Sequence, residues 1–533
     1  MDSTGSVRLS AAQRWLLTLS CLAVDLVTSS KAALYTALPE IAAATGASQA
    51  ELTWIVDGYT LALACLVLPA GAMGDRYGRR VVLIVGLFIF SLASAAPLIL
   101  DTPIWLIAAR ALTGVGAALV MPSTLSMLTA GFPVERRGSA IGLWAGVSGV
   151  GAILGILGSG ILIESWSWVS IFVGMAVAGA VLTVAAFTVP ESVDTSRPAM
   201  DPLGAVTSAL AIGAIVVAAI EVPARGWLDP MVIAATVIGL TLALAFVVIE
   251  KRVTHPLIDI RLFADRGFGS GTAIVTLQFL VTFGLFMLIV QHLQLIMGYR
   301  PLVSALALAP MGIPMVVISA FAPRLAERIG LRIPTFAGLL AIGGGLLMIA
   351  QVDAQTSYLD LLGPLLLMSA GIGLCTAPAT AAIVDGTPVE KHGVAAAIND
   401  AAREVGAAIG IAIAGSVLAA GYGQRIAPAL PNLPEAAREP VGDSLAAALQ
   451  VAERAGPQGQ PLVDFAKSAF IHGMHQSATV LGFLTIGAAV LIAVWTPGRR
   501  RAAAPVATGP DDSHREVIIE SGANSGSSSS ERS

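Results

Sequence analysis

Fourteen apolar runs, each about twenty residues or more, follow one another along this 533-residue chain. They lie near 14–38, 52–73, 80–100, 103–131, 138–163, 167–189, 202–222, 230–250, 268–297, 301–323, 333–352, 358–384, 393–420 and 469–496. A run of that length crosses about 30 Å of hydrocarbon as a helix. Lipid offers the backbone no hydrogen-bond partner, so each run is expected to be a membrane-spanning α-helix. Composition agrees. The chain is 56% hydrophobic, 12% charged and has a mean hydropathy of +0.82, whereas soluble domains carry about 25% charged residues. A net charge of −4 gives no reason to expect nucleic acid as a partner. Cys21, Cys65 and Cys375 all fall inside apolar runs and provide no disulfide framework.

The charges between the runs set the orientation. With the N-terminus inside, the short inner loops hold Arg76, Arg79, Arg80, Arg136, Arg137, Arg197, Lys251, Arg252, Arg261, Arg266, Arg324, Arg328, Arg332 and Lys391. The short outer loops hold Arg225 and Arg300. This asymmetry alternates correctly through the chain, and an even count puts Arg499, Arg500 and Arg501 inside too. Both termini are therefore expected in the cytoplasm. Residues 421–468 form an outer loop with room for short surface helices. Residues 497–533 are a tail ending in "SGANSGSSSSERS", of a composition that stays disordered.

"GAMGDRYGRR", Gly71 to Arg80, joins the second and third runs. Gly71 and Gly78 permit close helix approach and a tight turn. Asp75 stands where its carboxylate can meet a neighbouring helix N-terminus or an arginine. Arg76, Arg79 and Arg80 anchor the loop inside and can pair across to another bundle. The pattern resembles the signature loop of the major facilitator superfamily. "LTWIVDGYTLALA" (52–64), "LIAARALTGVGAALVMPSTLSML" (106–128) and "AAINDAAREVGAAIGIAIAGSV" (396–417) resemble spans two, four and thirteen of its fourteen-helix drug/proton antiporter branch.

The resemblance implies an all-α integral membrane fold. Residues 1–189 would form one six-helix bundle and 268–496 a second. Two extra helices over 202–250 would link them, and a cavity would lie between the bundles at mid-membrane. It also implies a role for Arg110 in proton coupling.

Charge within lipid is costly, so ionisable residues inside the runs are functional candidates. They are Asp25, Lys31, Asp57, Arg110, His292, Asp400, Arg403 and Glu404. Lys31 and Asp57 lie about seven and five residues from the outer ends of adjacent runs, hence at similar depth. They are expected to pair or to approach one another across the cavity; the alternative is a lysine that snorkels outward. Asp25 lies near mid-membrane with Thr28 and Ser29 on its face, either as a proton carrier or as a protonated structural acid. Arg403 can bond Asp400 one turn back, which leaves Glu404 to face the cavity. His292 is expected to be a polar lining residue at most.

Two positions depart from the branch pattern. The acid expected seven residues before Ala37 is Ser30, and Asp25 lies about 140° round the helix from it. The fifth run reads "GAILGILGSG", with Gly151, Gly155 and Gly160 kept but Ile156 where a helix-bending proline belongs.

The expected function is export of hydrophobic or amphipathic small molecules from a bacterial cytoplasmic membrane by proton antiport. The protein would be a monomer in contact with lipid. A facilitator or a differently coupled transporter of the same fold, or a non-transporting membrane sensor, are the alternatives. An enzyme is not expected: there is no phosphate-binding G-x-x-x-x-G-K-[ST] motif, no metal-ligand spacing and no sign of a cofactor.

Overall fold

The computed structural model describes residues 9–47, 49–192, 201–388 and 391–498. The tail beyond 498, with Arg499 to Arg501, and the loop position Arg197 lie outside the described residues. Among the described residues, fourteen helices are long and apolar enough to cross a membrane. In chain order they are α1 (Ala11–Ala33), α2 (Gln49–Tyr77), α3 (Arg79–Ala95), α4 (Pro103–Gly131), α5 (Val134–Ser165), α6 (Val169–Ala186) and α7 (Pro202–Arg225). There follow α8 (Pro230–Glu250), α9 (Arg266–Gln291), α10 (Pro301–Ile329), α11 (Arg332–Ile349), α12 (Tyr358–Asp385), α13 (His392–Ile426) and α14 (Gln460–Trp495). Within α10 the helix tightens to a 3₁₀ turn at Ala309–Met311, where Pro310 removes a backbone donor.

The starts and stops follow local chemistry. Ser10 and Gln13 form a capping box on α1, and Ser357 and Asp360 form one on α12. Asp201, Asp229 and Asp265 cap α7, α8 and α9 with their carboxylates. Pro103, Pro202, Pro230 and Pro301 occupy first helical positions, where a missing N–H costs nothing.

Helices α1–α6 share one core, centred on Leu19, Tyr59, Phe90, Trp144 and Phe172. Helices α9–α14 share another, with Phe268, Leu285, Leu346, Met368 and Met474. The cores meet where α2 and α4 pack on α13, and α5 on α10 and α12. Helix α7 lies against both α2 and α13, through Val216 and Ala219 set beside Ala64, Ala408 and Ala412. The extra pair is therefore more than a linker: α7 closes one side of the cleft, while α8 packs on α7 and turns Val237, Leu240 and Leu244 outward.

Several helices outrun their apolar windows, because a helix need not end where hydrocarbon does. The thirteenth continues to Ile426 and the fourteenth begins at Gln460. The segment between them is structured. It carries short helices at Glu435–Asp443 and Leu445–Arg454, whose Val441, Leu445 and Ala448 are buried, and Tyr422 donates to the Val441 carbonyl at 2.8 Å.

Candidate functional site

A cavity of about 270 Å³ lies between the two cores. Helix α1 supplies Lys31, α2 supplies Asp57, and α13 supplies Arg403 and Glu404. Phe279, Phe283 and Phe286 form an aromatic wall from α9; Val216, Ala219 and Ile220 form the wall from α7. The lining is mostly apolar with a few convergent charges, the form of a small-molecule site.

Lys31 Nζ donates to Glu404 Oε2 at 2.5 Å and stands 5.5 Å from the centre of the Phe283 ring. Both side chains are largely shielded, at 16% and 7% exposure. This pair crosses from one bundle to the other. The expected pairing of Lys31 with Asp57 is thereby corrected. Depth along two adjacent helices placed the residues at one level, but helix rotation turns Lys31 across the cleft. Asp57 remains in electrostatic reach of Lys31 and lines the same cavity. Among the described residues it has no hydrogen bond or ion pair.

Arg403 makes the expected bond to Asp400, Nη1 to Oδ1 at 3.4 Å. It also lines the cavity, lies 4.5 Å from the Phe279 ring centre and 5.3 Å from that of Trp144, and donates across the cleft to Ser148 on α5. Asp400 Oδ2 is buried without a hydrogen-bond partner.

Asp25, Arg110 and His292 are not among the cavity-lining residues. Asp25 is half-buried against α5; Ser29 Oγ donates to its Oδ1 at 3.3 Å and to the Gly151 carbonyl at 2.8 Å. Thr28, expected to serve Asp25, instead bonds backbone carbonyls, the usual fate of a helical threonine. Arg110 is fully buried. It donates to the Ile55 carbonyl at 3.2 Å, to Ser30 Oγ at 2.9 Å and to the Ser30 carbonyl at 3.2 Å, with Tyr59 stacked at 4.3 Å. Its partner is thus the serine that stands where an acid was expected. His292 is 1% exposed, within a π-turn at His292–Ile296.

At the arginine-rich end, Asp75 meets both partners that its position allowed. It pairs with Arg79 at 2.8 Å, and it accepts from the Gly393 and Val394 backbone N–H groups at 3.0 and 3.1 Å. Those N–H groups are the free donors of the α13 N-terminus, whose dipole favours an anion. A Cβ on Gly71 would come within 2.5 Å of Ala397 Cβ and of the Gly393 carbonyl, so only glycine lets α2 and α13 touch there. Gly78 has φ +106°, outside the range of ordinary L-residues. Arg80 contacts Glu191 at 3.6 Å, and Arg76 lies over the Tyr77 ring. Arg80 and Glu191 close this loop within the first bundle. Asp75 reaches the other.

The family model described as Major Facilitator Superfamily matches residues 21–411. The chain belongs to the major facilitator superfamily. Among its relatives is the multidrug resistance protein Stp of Mycobacterium tuberculosis. It is 33% identical over 407 residues, covering 76% of this chain and 75% of Stp. The methyl viologen resistance protein SmvA of Salmonella typhimurium is 33% identical over 443 residues, covering 82% and 89%. The multidrug efflux pump LfrA of Mycolicibacterium smegmatis is 30% identical over 500 residues, covering 93% and 98%. The fold matches the human organic anion transporter MFSD10 with a TM-score of 0.60 at 15% identity, covering 91% of this chain and all of that one. These relatives place the chain in the fourteen-helix drug-efflux branch of the superfamily.

Within this major facilitator fold, α5 uses its glycines in two directions. Gly151 and Gly155 lie against Thr28 and Ser29 of α1, and Gly160 faces Leu302 of α10. Gly138, Gly142 and Gly146, unremarked in the sequence reading, seat α5 on Pro323, Ser319 and Val316 of α10. Their four-residue spacing was a readable signal of close helix packing. Helix α5 is unbroken from Val134 to Ser165, as Ile156 in place of proline implies.

Proposed function

We propose that this chain exports lipophilic small molecules, preferentially cations, across a bacterial cytoplasmic membrane in exchange for protons. The observation that carries this reading is the Lys31–Glu404 pair, set between the bundles in the wall of an apolar cavity. A proton on Glu404 removes its attraction for Lys31, and the contact across the cleft is lost. Asp57, unpartnered beside three phenylalanines, is the natural anchor for a cationic cargo. A cargo cation on Asp57 raises the local positive charge and discourages protonation of Glu404. Cargo and proton therefore compete, as antiport requires.

Both termini face the cytoplasm, so the arginine-rich end is the inner one. In this conformation Asp75 on the α13 N-terminus and the Gly138–Gly142–Gly146 stripe on α10 hold the inner side of the bundles together. The protein acts as a monomer, with lipid on its outer faces, without a resident cofactor, and it is not an enzyme. The proton gradient is an adequate source: at an assumed ~150 mV, one charge moving inward supplies ~3.5 kcal/mol, roughly a 300-fold gradient.

Names of relatives point the same way: multidrug resistance, efflux, and resistance to methyl viologen, itself a cation. A second reading, a facilitator without proton coupling, draws on Ser30, because Arg110 lacks the carboxylate partner that the branch pattern would give it. Purified protein in vesicles with an imposed pH gradient separates the two. Accumulation of ethidium or methyl viologen that collapses when the gradient is dissipated supports antiport. Flux indifferent to the gradient supports the facilitator.

A further inference from the structure

Asp201 and Glu250 stand at the inner foot of the α7–α8 hairpin, far from the cavity charges in sequence and absent from its lining. Asp201 caps α7, its Oδ1 accepting from the Gly204 N–H at 2.9 Å. Glu250 ends α8, its Oε2 accepting from the Ile258 N–H at 3.0 Å. That leaves one oxygen on each. Asp201 Oδ2 and Glu250 Oε1 are both buried without a donor, on residues only 6% and 4% exposed. The two oxygens converge over Gly204, where a Cβ would collide with both.

Two ionised carboxylates are acceptors only and cannot bond one another. Buried together as anions they would repel, and one proton between them removes both difficulties. A cation could do the same, but among the described residues none donates to either oxygen. Lys251, Arg261 and Lys391, with Asp259, line the basin beside Glu250. Arg76 and His392 stand at this end of α2 and α13, the helices packed on α7, and Asp75 there is held by Arg79. The converging oxygens accept from none of these.

We infer that Asp201 and Glu250 share one proton, forming a proton-binding site separate from the central cavity that fastens the cavity's accessory wall to the C-terminal bundle. Asp201 holds the start of α7, whose Val216 and Ala219 line the cavity. Glu250 holds Ile258, which is buried with Leu257 in the second core. The proton joins these two attachments. The unfolded chain would release it at neutral pH, so its contribution to stability is present at low pH and is lost as pH rises.

The test uses the full-length protein and needs no cargo, so it is independent of the transport reading. Infrared difference spectra of the wild type against Asp201→Asn and against Glu250→Gln should each reveal a protonated-carboxyl band at neutral pH, missing from the variant. Both amides preserve shape, and asparagine caps helices well. Either amide supplies a permanent N–H to the other residue's oxygen. The alkaline fall in melting temperature should therefore be flatter in each than in the wild type or in Glu404→Gln. Unchanged band intensity in both amide variants would overturn the proposal. So would a chelator that lowers the wild-type melting temperature but not that of the variants, because a metal ion would then occupy the gap.

Discussion

Arg110 gives two of its hydrogen bonds to a single residue, Nη1 to Ser30 Oγ at 2.9 Å and Nη2 to the Ser30 carbonyl at 3.2 Å. The guanidinium is fully buried, bonded to neutral oxygens and the face of Tyr59. It ties α4 to α1 and α2 behind the cavity wall. Replacing it removes a buried donor from each of those oxygens and opens a void. Arg110→Met should destabilise the protein by about 2–4 kcal/mol, read as a large fall in melting temperature. Ser30→Asp should raise it, because a carboxylate there meets the guanidinium directly.

Close contact of α2 and α13 depends on a missing methyl group. Gly71→Ala places a Cβ against Ala397 and the Gly393 carbonyl. The cost is roughly 1–3 kcal/mol if both helices stay in place. The helices should instead separate at the arginine-rich end. Spin labels at that end of α2 and α13 should report a longer distance than in the wild type, with slower transport.

Asp75 serves Arg79 and the α13 N-terminus together. Asp75→Asn keeps the shape but removes the charge that both partners favour. Asp75→Ala removes the bonds as well and takes from Arg79, at 2% exposure, its Asp75 carboxylate, while its bonds to Ser126 and Ser192 remain. The alanine variant should lose more stability than the asparagine variant, by about 1–3 kcal/mol, in thermal unfolding.

Helix α7 walls the cavity with small side chains. Ala219→Phe should fill part of the space while sparing Lys31, Asp57 and Glu404. Transport of bulky cargo should fall about tenfold or more and that of methyl viologen much less, measured side by side in vesicles.

The sequence was most informative where a reading rests on one dimension. Span count depends only on apolar length and position, and Asp75 was readable because its loop is short and its partners few. Rotation of helices about their axes was not readable. Asp25 and Lys31 lie on one helix, yet Asp25 turns to Gly151 and Lys31 to the cavity. The mate of Lys31 is 373 residues away on the opposite bundle, so a search among adjacent helices could not find it. The serine at position 30 was noticed as a departure; that it receives Arg110 required knowing that α1 and α4 touch.

In the proposed cycle Glu404 exchanges Lys31 for a proton. Proton movement evoked by ethidium in wild-type and Glu404→Gln vesicles tests it directly. The glutamine holds Lys31 weakly and cannot titrate. The variant should bind ethidium yet show no ethidium-driven proton flux and no pH-driven accumulation. If Glu404→Gln accumulates ethidium against its gradient as steeply as the wild type, Glu404 does not carry the coupling.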